Sequence, residues 1–444
     1  MSTNSPDAPL SRRRLFALGA GAAAAGALSA YGGRPRTTPT GGTTAAASGD
    51  LPSLSQWYHQ YGEEGTKQAV ERYAAGYTKA KVSVNWQPDY DNVVPPALLT
   101  DTGPDVFEWG NGPSIDMIKA GQVVDLSDLF TDELKADFNK AVLDRVTYEG
   151  KIWAVPQLVD MILLVYRKSM LDKAGVKVPT TLDEMAEAAK KLTDGDVKGL
   201  FVGNDGGATE MGGPLLYSAG LNFLNDDGSF GFDDAKAAAA FTKLHDMYAA
   251  GSLLEGQDKD WWSAEALING ACAMQWAGLW DFPNIAKALG DDWGVAAWPS
   301  AGDGGVPTVI FGAFSSCVSA KAKDVSLAKD FVKYLWMDNT DAQVEFATAY
   351  GFHVPSRASL VPKATTLQSG QGKEAADLLA QYGHPQSQML WTGKSGTAFN
   401  DMMTRIVKDG ADAASEIATL KPIVEAEVAS VMGAAPAGTT APTG

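Results

Sequence analysis

The 444-residue sequence predicts an α/β protein with enough apolar content for two hydrophobic cores. Three observations carry that prediction. Single cores stop growing at roughly 250–300 residues, and 45% of this longer chain is hydrophobic. Strand-like segments alternate with segments of helical periodicity, the pattern of βαβ units and a mostly parallel sheet. Low-complexity stretches of Gly, Thr, Pro and Ala sit at the two ends, which confines the folded body to about residues 51–432.

Residues 1–30 read as a processing segment to be set aside from the fold. Arg12 and Arg13 precede Leu15 and Phe16, and an Ala- and Gly-rich run follows to Ala30. That run falls short of the about 20 apolar residues that span a bilayer, and the arginine pair makes it a twin-arginine-like export signal. Leu28-Ser29-Ala30 before Gly32-Gly33 is similar to a lipoprotein processing site. Tyr31 stands where a lipid-bearing cysteine belongs, and a phenol has no thiol to acylate. Residues 31–50 read as a flexible tether and 433–444 as a disordered tail.

In the body, residues 54–58 read as a strand and 64–78 as a helix with Ala69, Val70, Tyr73 and Tyr77 along one side. Residues 82–86 alternate like a strand, and 105–107 form a short buried one. Thr181 and Glu184 have the spacing of a capping box, opening a helix that fills residues 182–192. Residues 325–336 form another amphipathic helix. Cys272 and Cys317 both fall in short strand-like runs.

Several function classes are disfavoured at once. A formal charge of −17 repels phosphate backbones, so nucleic acid is not an expected partner, and it favours a soluble monomer. Two cysteines are too few for a disulfide framework or a thiolate zinc site, and they read as buried, unreactive thiols. No two of the four histidines lie at metal-ligand spacing, so neither metal nor cofactor is expected. Asn225-Asp226-Asp227-Gly228 lacks the alternating ligands of a calcium loop and reads as a polar turn. Gly203-Asn204-Asp205-Gly206-Gly207 has no following Lys-Ser/Thr to bind phosphate.

The 12 tryptophans carry more information. Many fall at strand ends or in loops, and ligands of open α/β sheets sit at the carboxyl ends of strands. An indole face matches the C–H face of a pyranose, while carboxylates and amides hold its hydroxyls. Any one tryptophan is more often core than platform, so composition alone does not establish a site.

Segment order supplies what composition lacks. The body resembles the carbohydrate-binding branch of the extracellular solute-binding proteins, the maltose-binding-protein-like family. The resemblance rests on Gly103-Pro104-Asp105-Val106-Phe107-Glu108-Trp109, on residues 148–156 and 163–168, on Pro179-Thr180-Thr181-Leu182-Asp183-Glu184 and on residues 269–274. Gly351 to Pro355 fits the family's glycine-to-proline loop. The resemblance implies a type II periplasmic-binding-protein-like fold, two α/β lobes that are each a sheet flanked by helices, joined by hinge crossings. On that mapping residues 51–156 and 307–360 build the first lobe with the return crossing, and 157–306 with 361–432 the second. The implied function is capture of a neutral, by preference oligomeric, saccharide for an ABC importer, whose permease subunits would be the partner.

Carried over residue by residue, the resemblance implies sugar contacts at Trp109, Asp160, Trp280 and Trp391. Loop position adds Gln60, Glu64, Asn111, Glu210, Trp261 and Trp276. Phe311 and Gly312 lie at the return crossing, where glycine serves either hinge rotation or close approach of a sugar. Two alternatives compete. A secreted glycoside hydrolase would also line a cleft with tryptophan but needs a carboxylate pair in register. A carbohydrate adhesion module would present a shallow, rigid platform.

Overall fold

A computed structural model describes residues 51–433; the export-signal and tether readings, and all but the first residue of the tail, lie outside the described residues. Strand β1 (Ser53–His59) buries alternate side chains, Leu54, Gln56 and Tyr58. The helix Thr66–Ala75 turns Ala69, Val70 and Tyr73 inward and delivers the chain to β2 (Lys81–Gln87), parallel to β1. β3 (Val106–Gly110) joins β1 on its other side, also parallel. A hairpin of β4 (Thr147–Tyr148) and β5 (Lys151–Ile152) precedes β6 (Val155–Pro156).

After one further residue, Gln157, β7 (Leu158–Tyr166) opens a second sheet. β8 (Lys198–Phe201), β9 (Cys272–Gly278) and β10 (Gly294–Ala296) extend it, and β11 (Val309–Gly312) returns along it. Again one residue, Ala313, separates that strand from β12 (Phe314–Val318), which lies in the first sheet. β13 (Val354–Pro355) and β14 (Gly383–Pro385) complete the second sheet. The first sheet has the order β2-β1-β3-β12-β6 and the second runs β14-β11-β7-β9-β8, with β10 and β13 also on β7. The molecule is thus a two-lobed α/β protein.

The expectation of mostly parallel sheets holds for β1, β2 and β3, fails at β12, which is antiparallel to β3 and β6, and fails around β7 in the second lobe. There β7 is antiparallel to β9 and β11. The reason is topological: β7 brings the chain out of the first lobe and β11 takes it back, so the two must run in opposite directions. β7 is apolar on both faces, as a sheet covered on both sides requires. Met161, Leu163 and Val165 enter one core, Ile162 and Leu164 the other. The first lobe has its own core around Tyr58, Phe107, Phe331 and Trp336.

Helix ends follow the sequence signals. Thr181 caps Leu182–Leu192 as a complete capping box, accepting from Glu184 N while the Glu184 carboxylate accepts from Thr181 N. Leu182, Met185, Ala189 and Leu192 recur at helical spacing and are all buried. The helix read at 325–336 is α-helical over Val325–Lys333 and continues as a π turn, Tyr334–Asp338. Cys272 and Cys317 are free, buried and in different sheets, and burial pushes both thiols up. Asp227 accepts from Ser229 N at 2.9 Å, in the polar turn that the sequence suggests.

This account predicts separable costs in the second lobe. Urea unfolding should show Thr181→Ala destabilising by about 1 kcal/mol, the usual worth of a lost cap. Met185→Ala, at a fully buried position, should cost about 2–5 kcal/mol.

Candidate functional site

A cavity of about 770 Å³ opens where the carboxyl ends of β1, β3 and β9 face the two crossings. Its first-lobe wall is the loop after β1, residues 59–63, with Asp91, Gly110 and Asn111. Its second-lobe wall carries Trp261, Trp262, Ser263, Trp280, Asp281 and Asn284. Asp160, Gly312, Phe314, His353 and Gln386 lie between.

The aromatic wall is assembled by close backbone approach. Trp280 follows β9, and its Nε1 donates to the Trp262 carbonyl at 2.8 Å. The Trp261 ring stands edge-on to it with centroids 6.1 Å apart. A Cβ on Gly278 would come within 2.1 Å of the Trp280 ring, so only glycine lets the indole fold back over its own strand. Trp262 leaves half its surface open, 51%.

The junction of the lobes is polar and tightly bonded. Asn111 has a left-handed backbone, φ 60°, a conformation in which Asn is enriched among non-glycine residues. Its N–H donates to Ala313 O at 2.6 Å, its Oδ1 accepts from Ala313 N at 3.2 Å, and its Nδ2 donates to Gln386 Oε1 at 3.1 Å. A Cβ on Gly312 would meet Asn111 Oδ1 at 2.5 Å and Gln386 Oε1 at 2.8 Å. Close approach therefore requires the glycine, and the groups that approach are Asn111 and Gln386.

Two histidine–carboxylate clusters shape the floor. His353, 3% exposed, meets Asp160 Oδ1 through Nδ1 and Glu63 Oε1 through Nε2 at 3.2 Å. Burial opposes its charge, but the two carboxylates outweigh burial and raise its pKa to about 10. Glu63 shifts down: burial opposes ionisation, and the bond to His353 prevails. Behind the β1 loop, buried Glu108 accepts from His59 N at 2.9 Å and Tyr61 OH at 2.7 Å and also meets His59 Nδ1. Burial again opposes the His59 charge and Glu108 raises it. Burial pushes Asp281 up, countered by bonds from Asn284 and Ala264 N.

Of the residues singled out in the sequence, Gln60, Asn111, Asp160, Trp261, Trp280 and Gly312 line this cavity. The others lie elsewhere. Trp109 packs on Tyr90 with centroids 6.0 Å apart, against the first-lobe core. Trp391 packs on Phe223 at 4.6 Å. Trp276 is 1% exposed and edge-on to Trp298, inside the second-lobe core. Glu64 is exposed, and Phe311 is buried beside a smaller cavity. Glu210 bonds the Trp261 side chain from outside the wall; burial, with Asp205 and Asp260, pushes its carboxyl up to about 7.

Tyr61, Glu63, Asp281, Asn284, Phe314, His59 and His353 also line the cavity and are not among the sequence candidates. In the sequence these two histidines raise only the question of metal-ligand spacing. His353 lies within the Gly351–Pro355 loop already singled out, the one signal that pointed to it. The others carry no local pattern.

Because the pKa of His353 is raised on folding, its contribution to stability is complete below the unfolded value near 6.5. It is lost as pH rises through about 10. Thermal unfolding followed from pH 6 to 10 should show a falling midpoint that is flatter in His353→Gln. An identical slope in the variant would contradict the cluster's charge.

The comparisons agree with this architecture. The bacterial extracellular solute-binding protein family matches residues 58–335. The diacetylchitobiose binding protein DasA of Streptomyces coelicolor is 27% identical over 318 residues, 68% of this chain and 71% of that protein. The Listeria monocytogenes ABC substrate-binding protein Lmo0181, solved with cycloalternan, superposes with a TM-score of 0.73 at 19% identity, covering 87% of this chain and 100% of that one. The GacH receptor of Streptomyces glaucescens, described unliganded and with acarbose, gives 0.72 at 21% identity over 85% of this chain and 98% of its own. The chain belongs to the bacterial extracellular solute-binding protein family.

Proposed function

We propose that the chain is the extracytoplasmic binding component of an ABC sugar importer and captures an oligosaccharide without acidic groups in the interlobe cleft. The observation that carries the reading is one cavity in which Trp261, Trp262 and Trp280 stand beside Asp160 and Asn111. Indole faces stack on pyranose rings, and the carboxylate and amide bind their hydroxyls. At about 770 Å³ the space lies in the upper part of the range of about 300–1,000 Å³ for small-molecule sites, which favours more than one ring. No arginine lines the cavity among the described residues, so the usual partner of an acidic ligand is missing.

In this reading residues 51–156 with 311–360 move as one lobe and 157–306 with 361–432 as the other. A ligand that touches both walls only in the closed state drives the closure by that difference in contact. The permease would then recognise the closed form. Binding proteins among the relatives support a non-enzymatic role.

Intrinsic tryptophan fluorescence titrated with mono- and oligosaccharides tests this directly. A saturable shift at micromolar sugar is expected, weakened at least tenfold in Trp280→Ala, with the sugar recovered unchanged. Recovery of a shortened sugar would replace transport binding by glycoside hydrolysis.

A further inference from the structure

The charge lining the cleft is uneven, and it bears on which sugars the cleft selects. Five acidic side chains line the cavity against a single lysine, Lys259, which is itself paired with Glu265 at 2.6 Å. The His353 cation is shared between Asp160 and Glu63, one positive charge for two carboxylates. The His59 charge is met by Glu108 behind the wall.

What remains is a set of carboxylate oxygens without side-chain partners. Glu63 uses Oε1 on His353 and its carboxylate also takes a bond from its own backbone N–H, while no side chain of another described residue is bonded to its Oε2. Its side chain is only 9% exposed, so that oxygen belongs to a nearly buried carboxylate on the cavity wall. Asp160 is in the same position, with Oδ1 on His353 and Oδ2 unpaired, at 15% side-chain exposure. Asp91, on the first-lobe rim, forms no hydrogen bond or ion pair through its carboxylate among the described residues. A sugar hydroxyl can donate to any of these oxygens. A protonated amine donates three hydrogens and brings the charge that the wall lacks. The open Trp262 face and the Trp261–Trp280 pair add cation–π attraction for the same group.

We propose that the cleft selects an amino sugar, an oligosaccharide bearing at least one free ammonium group, over its neutral counterpart, and rejects uronate-containing sugars. This rests on the sugar-binding reading above and narrows it. Glu63 and Asp160 are the ammonium acceptors deep in the cleft, and Asp91 steers the cation at the rim.

Calorimetric titration of the purified protein near pH 6 tests it. The probes are glucosamine oligomers, the same oligomers N-acetylated, glucose oligomers and galacturonate oligomers of equal length. The proposal predicts at least tenfold tighter binding of the free-amine oligomer than of its acetylated form. That preference should shrink between low and high salt, since a Debye length of about 10 Å at 0.1 M screens the exposed part of the attraction. It should also fall in Glu63→Gln. Because Glu63 is nearly buried, the exposed Asp91→Asn provides a variant that leaves the fold untouched and should reduce the salt dependence. Equal or tighter binding of the neutral oligomers, or measurable binding of the uronates, would overturn the charge selection while leaving the sugar-binding reading intact. Silence across all four probes would overturn both.

Discussion

Two crossings of one residue each govern the molecule. Gln157 and Ala313 separate strands that belong to different sheets, and the first crossing is bonded beside the second: Gln157 N donates to Phe314 O at 2.8 Å. With so little chain between the lobes, the carboxyl ends of β1, β3 and β9 have to face one space. Asn111 locks the return crossing by two bonds to Ala313, at the cost of a left-handed backbone. The cleft is therefore a consequence of chain connectivity before it is a matter of side-chain chemistry.

Side chains then make the space polar without making it unstable. Buried charges are costly unless paired and bonded. Glu108, 1% exposed, has both carboxylate oxygens occupied by the loop after β1, which fixes the wall carrying Gln60 and Glu63. His353 does the same between the lobes. Its ring is held by carboxylates from the β1 loop and from β7, and it sits one residue before β13, which pairs with β7. The His353 cluster leaves part of its carboxylate capacity facing the cavity, so the groups that stabilise the floor there are also the ones available to a ligand.

The fold was readable where local chemistry dictates it. The capping box at Thr181, the alternation in β1 and the apolar run of β7 are all short-range signals. The antiparallel course of β7 and β11 was not, because direction follows from the return of the chain, a long-range fact. The same division holds in the cleft. Trp280 is legible through the family resemblance and Trp261 through its loop position. Trp276, two residues before Gly278 on β9, looked equivalent but points into the core beside Trp298. Strand alternation cannot tell a covered face from an open one when both faces are buried. Glu63 and His353, 290 positions apart, come together only through the lobe junction.

The central claim is that the space between the lobes is where a sugar is held. Diffraction from crystals grown with the tightest-binding oligosaccharide tests it most directly. The account predicts sugar density across the cleft, with a ring on the face of Trp280 and a polar group of the sugar within hydrogen-bond distance of Asp160. Density confined to another surface, or a cleft left empty at saturating ligand, would contradict it.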